Sequence, residues 1–419
     1  MEPNTIQIIA AGLFALAIVH TFTTKFFEVM ARRDPGHAGL FRLLGEVEVV
    51  FGFWALVLIL VMATLAGSKE AIEYAESRQF IEPLFVFVIM VLAASKPILD
   101  IVEQLIALIA RALPGRNAVV KVWLGLAAVP LLGSLITEPA AMTLAALILA
   151  PQIFRQGIPE PLKYAALGVL FVNISVGGIL TSYAAPPVLM VASAWDWNSA
   201  FMAQTFGWKG ALAVLINATA ITPLLSKHIP TADARETPPH AIKTPVLVSV
   251  IHLAFLAGVV VFAHHPVILV GLFLFFIGFT QAYERYQNPL ILKEGLLVGF
   301  FLAGLVVLGG MQQWWLQPIV SGMGSHALFF GTLVLTALTD NAALTYLGSL
   351  VEGMSDASKY MLVAGAMAGG GLTVIANAPN PAGVSLLRRG FNDESIGAGG
   401  LLLGALPPTL VAASAFLLL

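Results

Sequence analysis

Long apolar segments recur along the whole chain, and they restrict its fold more than any other feature of the sequence. Runs of about 20 residues with few charges have the length that an α-helix needs to cross the hydrocarbon core of a bilayer. Charged residues make up only 11% of the 419 residues, whereas a soluble domain carries about 25%. The sequence therefore predicts an all-α polytopic membrane protein, with the lipid bilayer as its solvent.

The composition also excludes several classes of function. Without cysteine, the chain has no disulfide, thiolate nucleophile or cysteine metal site. The net charge of −2 says nothing about nucleic acid, but no basic tract is present, so no nucleic-acid partner is expected. No H-E-x-x-H motif and no Ser-His pair at a helix break occurs, so neither an enzyme nor a cofactor is predicted.

Two short motifs, each with a carboxylate beside a threonine, interrupt the apolar runs. Residues 137–141 read TEPAA, and residues 339–343, which stand 202 positions later, read TDNAA. A glycine pair and then a proline motif follow in each half, at 177–187 and at 370–380, with an offset of 193. Because both the order and the approximate offset are kept, the pattern indicates an internal duplication.

Each half is predicted to contain about five membrane-spanning helices, one of them broken, and one re-entrant hairpin. Pro139 cannot donate a backbone N–H and disfavours helical backbone at Glu138, so the apolar run should break there. The resulting arms are short for a full crossing but suit a hairpin. The spans of the first half, residues 1–225, are placed at 6–30, 46–66, 84–108, 119–136 with 140–154 (hairpin), 164–195 (broken) and 208–225.

The second half repeats this plan after a polar linker at 226–243, which is predicted to be cytoplasmic. Its spans, within residues 244–419, are placed at 245–263, 266–282, 291–310, 326–338 with 342–353 (hairpin), 360–387 (broken) and 398–419. The tip of the second hairpin is Thr339-Asp340-Asn341.

The positions of lysine and arginine suggest an orientation in the cell (inner) membrane. With the N-terminus outside, most of them fall on the cytoplasmic side, and only Lys69, Arg78 and Lys359 fall outside. An odd number of crossings then separates the two hairpins, so they enter from opposite faces. The halves are therefore predicted to be inverted repeats, a plan typical of secondary transporters.

Glu138 and Asp340 are the strongest candidates for a functional role. A charge at mid-membrane depth costs at least ~2.5–3.5 kcal/mol, and such residues usually serve a function. Desolvation favours the protonated form of a carboxyl group, whereas a bound Na⁺ favours the ionised form, so one carboxylate can hold either ion but not both. The alternative is that each carboxylate caps the N-terminus of a half-helix.

Other polar residues around the breaks are the oxygen donors that a hard cation requires. They are Thr137, Thr339 and Asn341 beside the acids, Asn173, Thr181 and Ser182 in the first broken span, and Thr373, Asn377 and Asn380 in the second. Sodium is predicted to bind at Glu138, Asp340, Asn341 and Asn377. The alternative for each hydroxyl is a hydrogen bond to helix backbone.

A second polar group lies on the early spans. Lys96, Asp100 and Glu103 share one helix face, while Glu46 and Glu48 begin the second span from the cytoplasmic side. Ion pairing near the interface explains them, and a proton route or a dimer contact is the alternative.

These motifs resemble those of the ion transporter superfamily, which includes NhaD-type sodium/proton antiporters, ArsB-type arsenite carriers and sodium-coupled dicarboxylate transporters. The resemblance covers both halves and is greatest to sodium/proton antiporter families of about this length. It implies two hairpins whose tips meet two unwound spans, often in a homodimer. The dicarboxylate branch carries Ser-Asn-Thr at the hairpin tips, whereas this chain has Thr-Glu-Pro and Thr-Asp-Asn, whose acids would repel an anionic substrate.

The expected function is therefore Na⁺/H⁺ antiport by alternating access, with Na⁺ and H⁺ as the transported ions. A sodium-coupled transporter or exporter of a small anion with the same fold is the alternative.

Overall fold

The computed structural model describes residues 3–155, 157–229 and 243–419, and every regular element in these ranges is helical. The helices of the first half are α1 (Thr5–Phe22), α2 (Thr24–Arg33), α3 (Ala38–Leu44), α4 (Val47–Leu65), α5 (Ser68–Glu76), α6 (Ile81–Ala93), α7 (Lys96–Ala112), α8 (Asn117–Leu126), α9 (Ala128–Ile136), α10 (Glu138–Leu149), α11 (Glu160–Gly177), α12 (Pro186–Ala192), α13 (Ser199–Met202) and α14 (Trp208–Ser226). The second half contains α15 (Val246–Val261), α16 (Pro266–Ala282), α17 (Leu292–Gly309), α18 (Gln313–Ser321), α19 (Ser325–Thr336), α20 (Asn341–Ser349), α21 (Asp356–Gly369), α22 (Asn380–Leu387) and α23 (Ala398–Leu418). Most of the predicted linker, residues 230–242, lies outside the described ranges.

The lengths and apolar character of these helices confirm a polytopic membrane protein. Six helical segments in the described ranges are long and apolar enough to cross a bilayer, or up to eight if each bent pair is one span. The bent pairs are α6 with α7, at 62°, and α8 with α9, at 45°. The first bend divides the span that was predicted at 84–108. Pro97, in the first turn of α7, accounts for the bend because it has no N–H to continue the helix of α6.

At the position of each predicted hairpin the structure has two short consecutive helices that contact each other. Helix α9 ends at Ile136, α10 begins at Glu138, and the two pack together, with Gly133 against Ala141. Thr137 makes the turn with a φ of 78°, a backbone conformation that costs a β-branched residue about 1–3 kcal/mol. In the second pair, α19 and α20 are joined through 337–340. Re-entry of either pair into the bilayer stays a prediction.

Both predicted broken spans are also present, and glycine ends the long helix in each. Helix α11 ends at Gly177, continues as a short 3₁₀ turn, and gives way to extended backbone before α12. Helix α21 ends at Gly369, and a second 3₁₀ turn precedes α22. A proline in the first turn of α12 and of α22 fits the start of a new helix, because that position needs no N–H donor.

The packing of the short helices is reciprocal between the halves. The second arm of the first hairpin, α10, packs on α22, and the second arm of the second hairpin, α20, packs on α12. Around this centre, α11 packs along α14 and α23, and α19 packs along α21. Helices α4, α6 and α17 pack together beside them. Each hairpin therefore contacts the broken span of the other half, while the inverted-repeat relation itself stays a prediction.

The contact between α11 and α23 leads to a prediction about stability. A Cβ atom on Gly168 would lie 2.3 Å from the backbone of Gly404, so Gly168→Ala must push the two helices apart. Overpacking of this kind typically costs about 1–3 kcal/mol. We expect a lower melting temperature for the purified protein in detergent. Gly271→Ala on α16 is the control, because nothing lies within 4 Å of its Cβ position; an equal loss in both variants would contradict the close contact.

Candidate ion-binding site

Glu138 is the most deeply buried carboxylate at the centre of the packing. It begins α10 directly after the turn at Thr137, and its side chain is 0% exposed. Gly178 packs against it so closely that a Cβ there would lie 2.5 Å from Glu138 Oε1. The glycine of the first break thus makes room for the carboxylate, which places Glu138 between the hairpin tip and the first broken span.

The second broken span supplies the hydrogen-bond partner of this carboxylate. Asn377 Nδ2 donates to Glu138 Oε2 at 2.8 Å, and Asn377 is 1% exposed. Both Glu138 Oε1 and Asn377 Oδ1 are buried without a hydrogen-bond partner. Because a buried oxygen without a donor is costly, this pair leaves two oxygen atoms available for a cation.

Two more buried asparagines extend this set of unpartnered oxygens. Asn380 donates to the carbonyl oxygens of Gly370 (2.8 Å) and Thr373 (2.9 Å), and its Oδ1 has no partner. Asn341 is 0% exposed, and neither of its amide atoms has a partner. Its Nδ2 lies 3.0 Å from the Cβ position of Gly370. The chain of contacts therefore runs from Glu138 through the second break to Asn341.

Asp340 has a different environment from Glu138, although each is the acid of its hairpin. It is half-buried and precedes α20, where its Oδ1 accepts hydrogen bonds from Ala342 N (2.7 Å) and Ala343 N (3.3 Å). This is the capping geometry that the sequence left open as an alternative. Glu138 makes no such cap on α10. Asp340 is close enough for its negative charge to act on Glu138.

The threonines of the two breaks attach each broken span to its own hairpin. Thr181 Oγ1 donates to Ser134 O at 2.7 Å, and Thr373 Oγ1 donates to Ala337 O at 2.9 Å. Thr339 Oγ1 donates to Leu335 O within α19, as the alternative interpretation of the hydroxyls expects. Thr137 Oγ1 is buried without a partner, so it stays available to an ion.

Asn173 is held away from these groups by its hydrogen bonds. Its Nδ2 donates to Leu126 O (2.7 Å) and Val214 O (3.2 Å), and its Oδ1 accepts from Asn217 Nδ2 (2.9 Å). Leu126 ends α8 at the 45° bend, so Asn173 satisfies a carbonyl that the bend frees. The structure thus gives Asn173 a structural role, and its role as an ion ligand stays a prediction.

Sequence reasoning missed two serines at the centre of the molecule. Ser134 Oγ donates to Gly177 O (2.6 Å) and accepts from Leu180 N (3.0 Å), which ties the first hairpin to the first break. Ser175 Oγ donates to Met367 O at 2.8 Å, where α11 meets the end of α21. Their signal in the sequence is weak, because a single serine in an apolar helix usually bonds to its own backbone.

Most of the second polar group matches the ion-pairing interpretation. Lys96 pairs with Asp100, whose Oδ2 also accepts from Thr244 Oγ1 at 2.7 Å. Glu103 is exposed, and Glu46 lies 3.6 Å from Lys293. Glu48 is half-buried, and its negative charge acts on Asp340 at the tip of the second hairpin.

The chain matches one family of proteins over nearly all of its length. The family is described as "Putative Na+/H+ antiporter", and its match covers residues 5–419, which include both hairpins and both broken spans. No curated protein matches the chain. With this match and its apolar helices, the chain belongs to this Na⁺/H⁺ antiporter family of multi-pass membrane transporters.

Proposed function

We propose that the protein exchanges Na⁺ for H⁺ at Glu138, in the cell (inner) membrane. The observation that carries the proposal is the buried carboxylate with one oxygen bonded to Asn377 and the other unpartnered. The amide oxygens of Asn341, Asn377 and Asn380 complete an oxygen-rich environment that suits a hard monovalent cation.

The chemistry of exchange follows from the competition for one carboxylate. A cation requires the ionised form of Glu138, because the negative charge compensates for the water that the ion loses. A proton on Oε1 removes that charge and weakens cation binding, so each ion displaces the other. Asp340 adds a second acid within electrostatic range. We take the number of ions exchanged per cycle to depend on both acids.

Alternating access supplies the remaining part of the proposed mechanism. The two halves act as inverted repeats with the N-terminus outside, and the hairpins expose the site to one face at a time. The reciprocal packing of α10 on α22 and of α20 on α12 supports this arrangement, because each hairpin contacts the broken span of the opposite half. A homodimer is proposed as the functional assembly.

Proton movement in proteoliposomes tests this function directly. A pH gradient is set up across the membrane, and a pH-sensitive dye reports its dissipation when Na⁺, Li⁺ or K⁺ is added. We expect Na⁺ to dissipate the gradient, whereas empty liposomes keep it. Sodium uptake that is driven by a small anion, without any proton movement, would identify the anion-coupled alternative.

The first variant to test is Glu138→Gln. Glutamine keeps the length of the side chain and can still accept from Asn377 Nδ2, but it neither ionises nor exchanges a proton. We expect cation-dependent proton flux to fall to the level of empty liposomes, with the melting temperature unchanged or raised because no buried charge remains. Flux at the wild-type rate would show that exchange does not occur at Glu138.

Asp340 caps the N-terminus of α20 and is also proposed to bind an ion, and two substitutions separate these roles. Asparagine caps a helix about as well as aspartate, whereas alanine loses about 0.5–2 kcal/mol. We expect Asp340→Asn to keep its melting temperature and to lose exchange, and Asp340→Ala to lose both. If Asp340→Asn transports normally while Asp340→Ala is only less stable, Asp340 is a cap and nothing more.

A further inference from the structure

A polar cleft of about 540 Å³ opens on the side of the molecule where α12 ends. We call it the polar cleft after the polar side chains that line it together with apolar ones; these polar residues are Ser182, Tyr183, Ser193, Asp196, Asn198, Ser199 and His264. Asp196 and His264 are exposed, whereas Ser182 is half-buried in the first break. The cleft therefore leads from the surface to the backbone that interrupts α11 and α12.

Two serines form the inner end of the polar cleft. Ser182 N donates to Ser199 Oγ at 3.2 Å, and the two hydroxyl oxygens are 3.1 Å apart. The neighbouring Thr181 is bonded to Ser134 of the first hairpin. Gly178, four residues before Ser182, lies against Glu138 Oε1. Along the chain, residues 179–181 thus lie between Ser182, at the end of the cleft, and the glycine that packs against the unpartnered carboxylate oxygen.

A neighbouring cleft widens the same opening. Its volume is about 520 Å³, and it shares Ser193 and His264 with the polar cleft. Arg78 and Tyr346 also line it, so it reaches the end of α20 as well. Water therefore reaches the outer ends of both α12 and α20 on this face.

The chain beyond the C-terminal ends of α10 and α22 is tightly packed. Gly390, after α22, lies so close to Phe154 that a Cβ would be 2.2 Å from its carbonyl oxygen. The rings of Phe154 and Phe391 stack at 5.8 Å, and each residue is 5% exposed. Lys163 Nζ donates to Gly390 O. The region beyond α22 is thus closely packed, whereas a wide cleft opens near the first break.

The second break offers a much narrower approach to its hairpin. The positions equivalent to Ser182 and Tyr183 are the apolar Ile375 and Ala376. Ile375 and Asp340 line a cavity of about 20 Å³, which is roughly the room that one water molecule needs. Among the described residues, a hydrated cation therefore has a much wider approach at the first break than through this cavity beside Asp340.

We propose that the transported cation reaches Glu138 through the polar cleft and passes between Ser182 and Ser199. The inference rests on the proposed function, and it adds the route and its narrowest point. The ligand class is a small hard cation, whose lost water is replaced in passing by the two hydroxyl oxygens. The structure then corresponds to the state that is open to the face where α12 ends.

Labelling of single cysteines tests the route, since the natural chain has none. Ser199→Cys, in the full-length protein in proteoliposomes, is treated with methanethiosulfonates that leave either a trimethylammonium or a sulfonate group of similar size. A positive group in the route repels the incoming cation. We expect it to raise the apparent KM for Na⁺ by about tenfold, and we expect the sulfonate to raise it less.

Two further variants make the result decisive. Ala184→Cys is the control, because Ala184 is two residues from Ser182 but only 3% exposed, and it should stay unlabelled. Ala263→Cys, on the opposite wall of the cleft, replaces Ser199→Cys if that variant fails to fold. Its labelling should have the same dependence on the charge of the reagent.

The outcomes separate this proposal from the proposed function. If the cleft cysteine is not labelled, or if both reagents leave the same apparent KM for Na⁺, the route is wrong, while exchange by the wild-type protein still supports the function. If the wild-type protein shows no cation-dependent proton flux, both proposals fail. A KM that depends on the charge of the adduct supports the route.

Discussion

The burial of one carboxylate is the constraint around which the centre of the molecule is arranged. Glu138 is fully inside the protein, and within the described residues its carboxylate accepts a hydrogen bond from Asn377 of the other half. Such a group is costly away from water unless it is paired, protonated or bound to a cation. Its hydrogen-bond partner, Asn377, lies in a helix break 239 residues away. The proposed ion chemistry at Glu138 therefore requires the two halves to pack against each other.

Helix breaks make this arrangement possible because they free polar backbone groups deep in an apolar protein. Each freed carbonyl has to find a donor or face an ion. Asn380 satisfies two carbonyls in the second break, and Asn173 satisfies one at the bend after α8. Thr181 and Thr373 attach the breaks to the hairpins. Unpartnered polar atoms remain around the hairpin tips and the second break, where an ion is proposed to bind; they belong to Thr137, Glu138, Asn341, Asn377 and Asn380.

The two acids show how similar motifs acquire different environments. Asp340 has the shorter side chain and stands one position before its helix, so it reaches the N–H groups of the first turn. Glu138 is the first residue of α10, and Pro139 follows it, so one of the N–H groups that a cap would use is missing. One acid is thus partly satisfied by its own helix, and the other depends on the opposite half. A bound cation or proton should therefore stabilise the carboxylate of Glu138 more than that of Asp340.

The sequence by itself determined the helical membrane class and most of the places where the helices break, because apolar length, glycine and proline act locally. The roles of Glu138 and Asp340 in ion exchange stay predictions. The sequence did not reveal the bend at Pro97 as a break, the role of Ser134, or the difference between Glu138 and Asp340. Only the tertiary structure decided that Asn377 meets Glu138 while Asn173 bonds to backbone elsewhere. The reason is physical: a polar side chain in an apolar chain must find a partner, and only three-dimensional packing selects which one.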